Sequence, residues 1–420
     1  MAEELTIEVV QDGPDLIEVD DPIDVPEIIE VSDRIDVSFN GGLSIQAQID
    51  ASRTRGIVWG KPGLELVGGI EIPNRSGLKI LGNGNSNHHN PAHTLFGSVS
   101  LLQRDNSVAD DVPVITVRGT NCEIGQFSIQ GDTLTDQYGT NPDVTILVPF
   151  DAGLGSGKHY FHDLNLYKGK VAFQAGLAST DSNCDLCRVE RCKIENHDVA
   201  FRAVNNQAQG WFFKDNIYEF FQFPNPGEVG GPSLGEPGTG VVFDLTAQNA
   251  KFYADGVTTV NPVVCVRLAK GAFNAGQHII RNFASDAQAG AAYMSGVMLV
   301  QCLPSMPVQD PWQVRFDNPI ISGSVHQANG AHLFEIRGSG AVDVYGGMGI
   351  EKGTVLWNST GMTTHRQVVS FYGHRFRGTG WSAITDVFSA SGVSGIYVNC
   401  FGCRDEANVA IPNVENLVWP

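Results

Sequence analysis

Beyond residue 40 the chain returns again and again to one short phrase in which apolar and polar positions alternate. Instances are Phe127-Ser128-Ile129-Gln130-Gly131, Leu164-Asn165-Leu166-Tyr167, Cys192-Lys193-Ile194-Glu195-Asn196, Asn216-Ile217-Tyr218-Glu219 and Phe252-Tyr253-Ala254-Asp255. Later ones are Ile279-Ile280-Arg281, Pro319-Ile320-Ile321, Val342-Asp343-Val344-Tyr345, Val369-Ser370-Phe371-Tyr372 and Ile396-Tyr397-Val398. A period of two is the signature of a strand with one buried face. The phrases recur at intervals of about 24 to 39 residues, the spacing of solenoid coils with loops of variable length. One such coil cannot bury its own apolar face, so the core must come from stacking. The longer intervals place insertions at 132–157, 224–240 and 304–311, all polar and turn-rich.

Two segments depart from the phrase. Around Leu43-Ser44-Ile45-Gln46-Ala47-Gln48-Ile49-Asp50-Ala51-Ser52, apolar residues at 45 and 49 with Ser44 as N-cap predict a short amphipathic helix. The first 37 residues repeat an apolar-acidic-apolar unit, from Ile7-Glu8-Val9 through Ile17-Glu18-Val19, Ile23-Asp24-Val25 and Ile29-Glu30-Val31 to Ile35-Asp36-Val37. Pro14, Pro22 and Pro26 interrupt it, so no long sheet forms there alone. A purely solvating tail has no need of β-branched residues in register. Residues 1–38 therefore read as a strand-forming arm that orders against a partner, with Ile17, Val19, Ile23, Val25, Ile29 and Val31 as its contact positions. The rival reading is a disordered acidic tail.

The helix is followed by Ile57-Val58-Trp59, Lys61-Pro62-Gly63, Ile70 to Pro73, and Leu78 to Gly82-Asn83-Gly84. This order resembles the opening of the pectate-lyase-like right-handed β-helix family, the fold of many phage tailspikes. There a short helix caps the solenoid and is followed by strands ending near Pro-Gly, Pro and Gly-x-Gly turns. The resemblance implies an all-β, right-handed parallel β-helix of about ten coils over residues 39–420, with the acidic arm ahead of it. It further implies a homotrimer, attachment to other virion proteins (tail or capsid) through the arm, and a host surface glycan bound on the solenoid flank. The place implied is the virion, the chain being made in the host cytoplasm. The C-terminal run from Asn413 to Pro420 reads as one more strand-like strip, not as a trimerisation module.

Composition agrees with this architecture. Glycine is 48 of 420 residues and charged residues are 17%, which means many turns and much neutral surface and argues against a helical protein. Thirteen acidic residues against Arg34 fall in residues 1–37, so most of the net charge of −19 sits in the arm. Without a basic stripe, nucleic acid is an unsuitable partner. No apolar run is long enough for membrane insertion. Eight cysteines are too dilute for a disulfide framework, and reduced, buried thiols are expected.

Several motifs dissolve on inspection. Gly153-Leu154-Gly155-Ser156-Gly157-Lys158-His159 lacks the first glycine and the Ser/Thr of a phosphate loop. Pro91 breaks the helical spacing that would converge His88, His89 and His93 on a metal. Cys184, Cys187, Cys192 and His197 have metal-like spacing, but Cys192 falls on the inward register beside Ile194. No metal or cofactor is expected.

The carboxylates and tyrosines are more informative. With Leu166, Ile194 and Ile217 stacked inside, Tyr167, Glu195 and Tyr218 project outward one coil apart, and Tyr253 extends the row. Rings and acids in file form a glycan groove. Glu195 and Asp255, two coils apart, would stand roughly 10 Å apart at the backbone, within side-chain reach of an inverting glycosidase pair. Glu190, Asp198, Asp215 and Glu219 compete for that role, Asn196 is assigned to an inner amide stack, and Lys193 is the candidate base of a lyase. Three functions remain open. They are a glycan-binding tailspike or fibre, a non-enzymatic virion decoration or adaptor protein, and a polysaccharide lyase or glycoside hydrolase.

Overall fold

The computed structural model describes residues 43–52, 54–74, 76–85, 99–131, 143–149, 156–177, 184–204, 207–220, 240–246, 250–260, 264–269, 277–286, 298–303, 311–322, 334–336, 339–351, 354–358, 367–386, 388–389 and 396–418. The arm, with Ile17, Val19, Ile23, Val25, Ile29 and Val31, lies outside them, as do His88, His89 and His93. Almost everything described is β, in long parallel sheets wound as a solenoid.

Each complete coil contributes a strand to three faces. The first face is a thirteen-stranded sheet that starts at Ile57–Trp59 and Lys79–Leu81 and ends at Ile396–Phe401 and Val414–Val418. All its pairings are parallel except the last, so the described residues form twelve coils where about ten were expected. The second face runs from Gly63–Val67 and Ser100–Arg104 through Ile217–Glu219 to Arg375–Arg377. The third runs from Ile70–Ile72 through Val241–Leu245 to Phe388–Ser389. Two long strands, Asn165–Ala175 and Lys193–Ala203, run from the second face to the third and bend between them at left-handed Lys168 and Asn196.

The corner between the first and second faces is made the same way in coil after coil, by a residue in the left-handed region, joined at Gly346 by a second one, Gly347. Gln126, Asp163, Arg191, Asp215, Gly256, Asn282, Asn318, Gly346, Gly373 and Gly402 occupy it, with φ from 50° to 67°. That conformation costs an ordinary residue about 1–2 kcal/mol and Asn, Asp or Gly least, which is why those three types dominate the position. The backbone N–H at the corner is satisfied by the next coil. Asn282, Asn318, Gly346 and Gly373 donate to the carbonyls of Asp317, Tyr345, Tyr372 and Phe401 at 2.7–2.8 Å.

Register inside the core follows from the corner. The third residue after it points inward, giving the in-register file Ile129, Leu166, Ile194, Tyr218, Thr259, Ser285 and Ile321. The residue immediately after the corner is also buried at Phe127, Leu164, Cys192, Asn216, Val257 and Phe283. Asn216 is the internal amide: its Oδ1 accepts from Cys192 N at 2.8 Å and its Nδ2 donates to the Val189 carbonyl at 2.9 Å. Asn196, assigned to that role from sequence, instead adopts a left-handed turn between the second and third faces. All eight cysteines are buried and free.

Both ends of the stack are closed. The helix Ile45–Ala51 forms as expected, with Ser44 Oγ accepting from Ala47 N at 3.2 Å and with Ile45 and Ile49 buried. Gln46 pairs both backbone groups of Glu71, completing the first strand of the third face. At the other end the Asn413 side chain accepts from Gly402 N at 2.8 Å, and Val414–Val418 covers the last parallel strand. One expected insertion is narrower than the sequence implied, because Val144–Val148 within 132–157 is a core strand of the third face.

Two predictions follow from the packing. Gly347 (φ +74°) has the Pro319 carbonyl oxygen 2.2 Å from where a Cβ would lie, whereas Gly373 (φ +64°) opens on free space. Gly347→Ala should lower unfolding free energy by about 2–4 kcal/mol, and Gly373→Asn should stay within about 0.5 kcal/mol, both read by urea denaturation. The second concerns acid. Burial holds the imidazoles of His159 and His278 down to about 3 and those of His197 and His374 to about 4. Their stabilisation is complete above the unfolded value near 6.5. It is lost as pH falls towards the folded values, at roughly 1.4 kcal/mol per unit for each histidine. Unfolding free energies at pH 7.5, 5.5 and 4.5 should therefore fall steeply; a flat profile would contradict neutral burial of these rings.

Candidate functional site

The register sorts the sequence candidates onto different faces. Tyr167 lies half-buried on the outside of the second face, in file with Glu195, Glu219 and Val260. Tyr218 does not join it. Its ring is fully buried, edge-on to Phe243 at 6.4 Å, and Ile217 is the outward residue, 41% exposed. The expected register was one residue out at this strand, because Ile217 was matched to Ile194 by apolarity although the corner residue Asp215 matches Arg191. Asp255 and Tyr253 lie on the first face. The position two coils from Glu195 in its own file is Val260, so Glu195 and Asp255 do not form a pair across one groove.

Around Glu195 the structure gathers charge that the sequence pattern alone did not reveal as a unit. Glu195 has no exposed surface. The Lys193 ammonium pairs with it and, at 3.1 Å, with Glu219. Burial raises the Glu219 carboxyl, Lys193 opposes the rise, and the Glu195 charge and a hydrogen bond between the two acids add to it. Burial works against the Lys193 charge, but the two carboxylates outweigh it and hold the ammonium above its ordinary value. His197 Nδ1 donates to the Glu195 carbonyl at 2.9 Å, leaving Nε2 to accept from Thr145 Oγ1 at 3.0 Å. Gly169, in register with His197, leaves the room this contact needs, since a Cβ there would meet both atoms within 2.8 Å.

Further along the third face, buried Asp244 accepts from Arg202 at 3.0 Å and from both ends of Arg267 at 2.9 and 2.8 Å. Beside it burial pushes Asp198 up to about 6 against the pull of Lys170, Arg202 and Arg267. This network bonds coil to coil. Nothing can reach Glu195 from solvent, so its geometry suits cohesion of the stack and not attack on a glycosidic bond.

The outside of the first face is different. Its last outward file reads His162, Glu190, Lys214, Asp255, Arg281, Asp317, Tyr345, Tyr372 and Phe401. A neighbouring file carries Phe212, Tyr253, Ile279, Arg315, Asp343 and Ser370. Phe212 and Tyr253 stack at 5.2 Å, and Lys251 lies 4.9 Å over the Tyr253 ring. At the C-terminal half a cleft of about 400 Å³ opens, lined by Arg281, Asn282, Arg315, Asp317, Asn318, Tyr345, Gly346 and Tyr372.

Strand spacing explains its construction. Identical outward positions recur every ~4.8 Å, the thickness at which aromatic rings stack. Tyr345 and Tyr372 accordingly lie at 4.5 Å and 12°, with Phe401 next at 5.7 Å and 15°. The Arg315 guanidinium covers the remaining face of Tyr345 at 4.2 Å. Asp317 ties the two arginines together, its Oδ1 accepting from Arg315 Nε at 2.6 Å and its Oδ2 from Arg281 Nε at 3.3 Å. The Asn282 side chain donates to Asp255 at 2.8 Å. Sequence reasoning found Asp255 and Tyr253 on this flank but missed Arg281, Arg315, Asp317, Tyr345 and Tyr372. The signal was there in Arg315-Phe316-Asp317 and Tyr345-Gly346 at equivalent corners.

Among solved structures, the chain is similar to the catalytic unit of a thermostable GH87 alpha-1,3-glucanase from Streptomyces thermodiastaticus, at 14% identity and TM-score 0.44 over 88% of this chain and 64% of that one. It is similar also to the DFA-IIIase of Arthrobacter chlorophenolicus, at 13% identity and TM-score 0.46 over 87% and 88% of the two chains. The enzymatically active domain of tailspike protein 2 of bacteriophage CBA120 aligns at 10% identity and TM-score 0.34 over 86% and 44%. The chain thus spans less than two thirds of the glucanase unit. At these identities and TM-scores the likeness says nothing of chemistry. No family model matches the sequence. No curated protein matches it either.

The Lys193 contacts generate a test of the charged network. Lys193→Met leaves the buried Glu195 and the half-buried Glu219 without their cation and should cost about 3–5 kcal/mol at pH 7. Adding Glu195→Gln should restore much of the loss. Equal stability of Lys193→Met and the parent in urea melts would contradict the pairing.

Proposed function

We propose that this protein is a spike- or fibre-like virion component that binds a host surface polysaccharide along the outside of its first face, without cleaving it. The observation that carries the reading is the cleft between Arg281 and Tyr372, where two guanidiniums, two corner amides and two phenols converge on the flank of a rigid rod. Concave sites with a few fixed polar groups among rings are the usual form of a ligand site. The solenoid winds right-handed in this reading, the hand that parallel crossovers take. Residues 1–38 are its attachment to other tail or capsid proteins, through Ile17, Val19, Ile23, Val25, Ile29 and Val31.

Homotrimerisation has a surface to use. Ile217, Thr258, Ala284, Ile320 and Met348 follow one another in a single outward file of the second face. Ile320 is 50% and Met348 47% exposed, an apolar stripe of the kind that subunit contacts cover. No membrane insertion or nucleic-acid partner enters this proposal.

A hydrolytic alternative has one observation in its favour. Asp255 and Asp317 stand two coils apart in one file, with Arg281 between them, roughly 10 Å apart at the backbone. Against it, both carboxylate oxygens of Asp317 are already held by arginines. Glu195 is given no catalytic role.

The experiment is a glycan array with the purified protein, then an assay for released reducing ends on every hit. Binding without release is the expected result, with Tyr372→Ala and Arg315→Ala weakening it at least tenfold and Glu195→Gln leaving it unchanged. Release of reducing ends that Asp317→Asn abolishes would establish the hydrolase instead. Removal of residues 2–37 should leave a folded, glycan-binding solenoid that no longer joins particles, and Ile320→Glu with Met348→Glu should convert trimers to monomers in light scattering.

A further inference from the structure

The cleft on the first face is a positive spot on an acidic chain. Its lining holds Arg281, Arg315 and Asp317, two guanidiniums to one carboxylate, and so carries one excess positive charge. Of its charged neighbours on that face, Asp255 beside Arg281 and Asp343 beside Arg315 are offset by Lys214, one coil before Asp255, and by Lys251 over the Tyr253 ring. Most of the chain's net charge of −19 falls in residues 1–37. At physiological ionic strength, charges more than ~8 Å from a ligand in the cleft are largely screened from it.

Hydrogen bonding leaves the cleft rich in donors. Asp317 holds both arginines by Nε, its Oδ1 accepting from Arg315 at 2.6 Å and its Oδ2 from Arg281 at 3.3 Å, so both of its oxygens are engaged. The terminal nitrogens of the two guanidiniums donate to no described residue. Neither flanking acid takes them up, since Asp255 accepts from Asn282 at 2.8 Å and Asp343 from Gln313 at 2.7 Å. The Arg315 guanidinium is also held over the Tyr345 ring at 4.2 Å. Its orientation is thus set before any ligand arrives.

These features select an acceptor with a charge of its own. Arg281 and Arg315 stand on adjacent coils, two positions out of register, on a diagonal of roughly 8 Å at the backbone, and a single carboxylate already bridges their heads. A ligand carboxylate accepts without donating, is planar like the guanidinium fork, and carries the one negative charge that the lining lacks. A sugar hydroxyl in its place makes an uncharged hydrogen bond of roughly half the strength. The Tyr345 and Tyr372 hydroxyls and the Asn318 amide, also on the lining, remain for the ring hydroxyls of the same sugar.

Resting on the glycan-binding reading above, we infer that the cleft takes an acidic sugar, a hexuronate unit of the polysaccharide whose carboxylate sits on the terminal nitrogens of Arg281 and Arg315. Amylose, mannan and galactan oligosaccharides provide matched probes, each as the parent, as the C6-oxidised uronate and as the methyl ester of that uronate. In isothermal titration calorimetry of the full chain, at least one uronate should bind about tenfold or more tighter than both its parent and its ester. Raising sodium chloride from about 50 to about 500 mM should close most of that gap, a comparison that needs no variant. Arg281→Gln and Arg315→Gln should each narrow the gap several-fold, and Arg315→Lys, which keeps the charge without the fork, should preserve only part of it. Circular dichroism checks that each variant is folded.

A parent or ester that binds as tightly as its uronate overturns the inference and leaves glycan binding in place. So does a gap that survives high salt or both glutamine substitutions, and so does a C6-sulfated form that binds more tightly than the uronate. Failure of every probe, and of crude host-surface polysaccharide, removes the glycan-binding reading and this inference with it.

Discussion

One backbone constraint organises the molecule: in each of ten successive coils a left-handed residue turns the chain from the first face to the second, and its N–H is held by the next coil in most of them. Because the turn is so short, it leaves little freedom in register, and the shift between Met348 and Glu351 follows the corner where Gly347 is left-handed beside Gly346. The third residue beyond it must point inward, whatever its type. That is why Tyr218, Thr259 and Ser285 sit in a file otherwise built of Ile and Leu, and why Ile217, Ile320 and Met348 are left outside. The same rule keeps outward side chains in straight files, and the flank of the rod can then act as a lattice of chemically distinct columns.

Each column meets the cost of its own repetition. Like residues one coil apart stand ~4.8 Å from one another, so rings stack, whereas carboxylates must have cations interleaved. Tyr345, Tyr372 and Phe401 illustrate the first case, and Lys193 between Glu195 and Glu219, or Asp244 between Arg202 and Arg267, the second. Where such a network is buried it bonds the stack. Where it lies on the outer surface, as at Arg281, Arg315 and Asp317, the unused donors and acceptors are available to a ligand.

The general architecture was legible because period-two alternation and recurring phrases are local signals. The capping helix was equally plain from Ser44, Ile45 and Ile49. The face on which a phrase lies was not, since strands of all three faces share the same alternation. Phrases at 193–195 and 253–255 therefore looked equivalent although a corner separates their faces. Counting from Asp163, Arg191, Asp215 and Asn282 would have set them apart, but Arg191 does not announce a left-handed turn. Glu195 misled for another reason. Outward on a pleat does not mean solvent-exposed when Lys193, Glu219 and the neighbouring strands enclose the carboxylate.

The in-register stack is tested most directly by a distance along one file. Arg188 and Asp343 belong to the same outward column of the first face, five coil steps apart through Phe212, Tyr253, Ile279 and Arg315. All eight native cysteines are buried, so spin labels can be placed at cysteines introduced at these two positions alone. Double electron-electron resonance should give a narrow distribution centred near ~24 Å, five times the strand spacing. A broad distribution, or one centred beyond about 35 Å, would contradict the continuous coil on which the cleft depends.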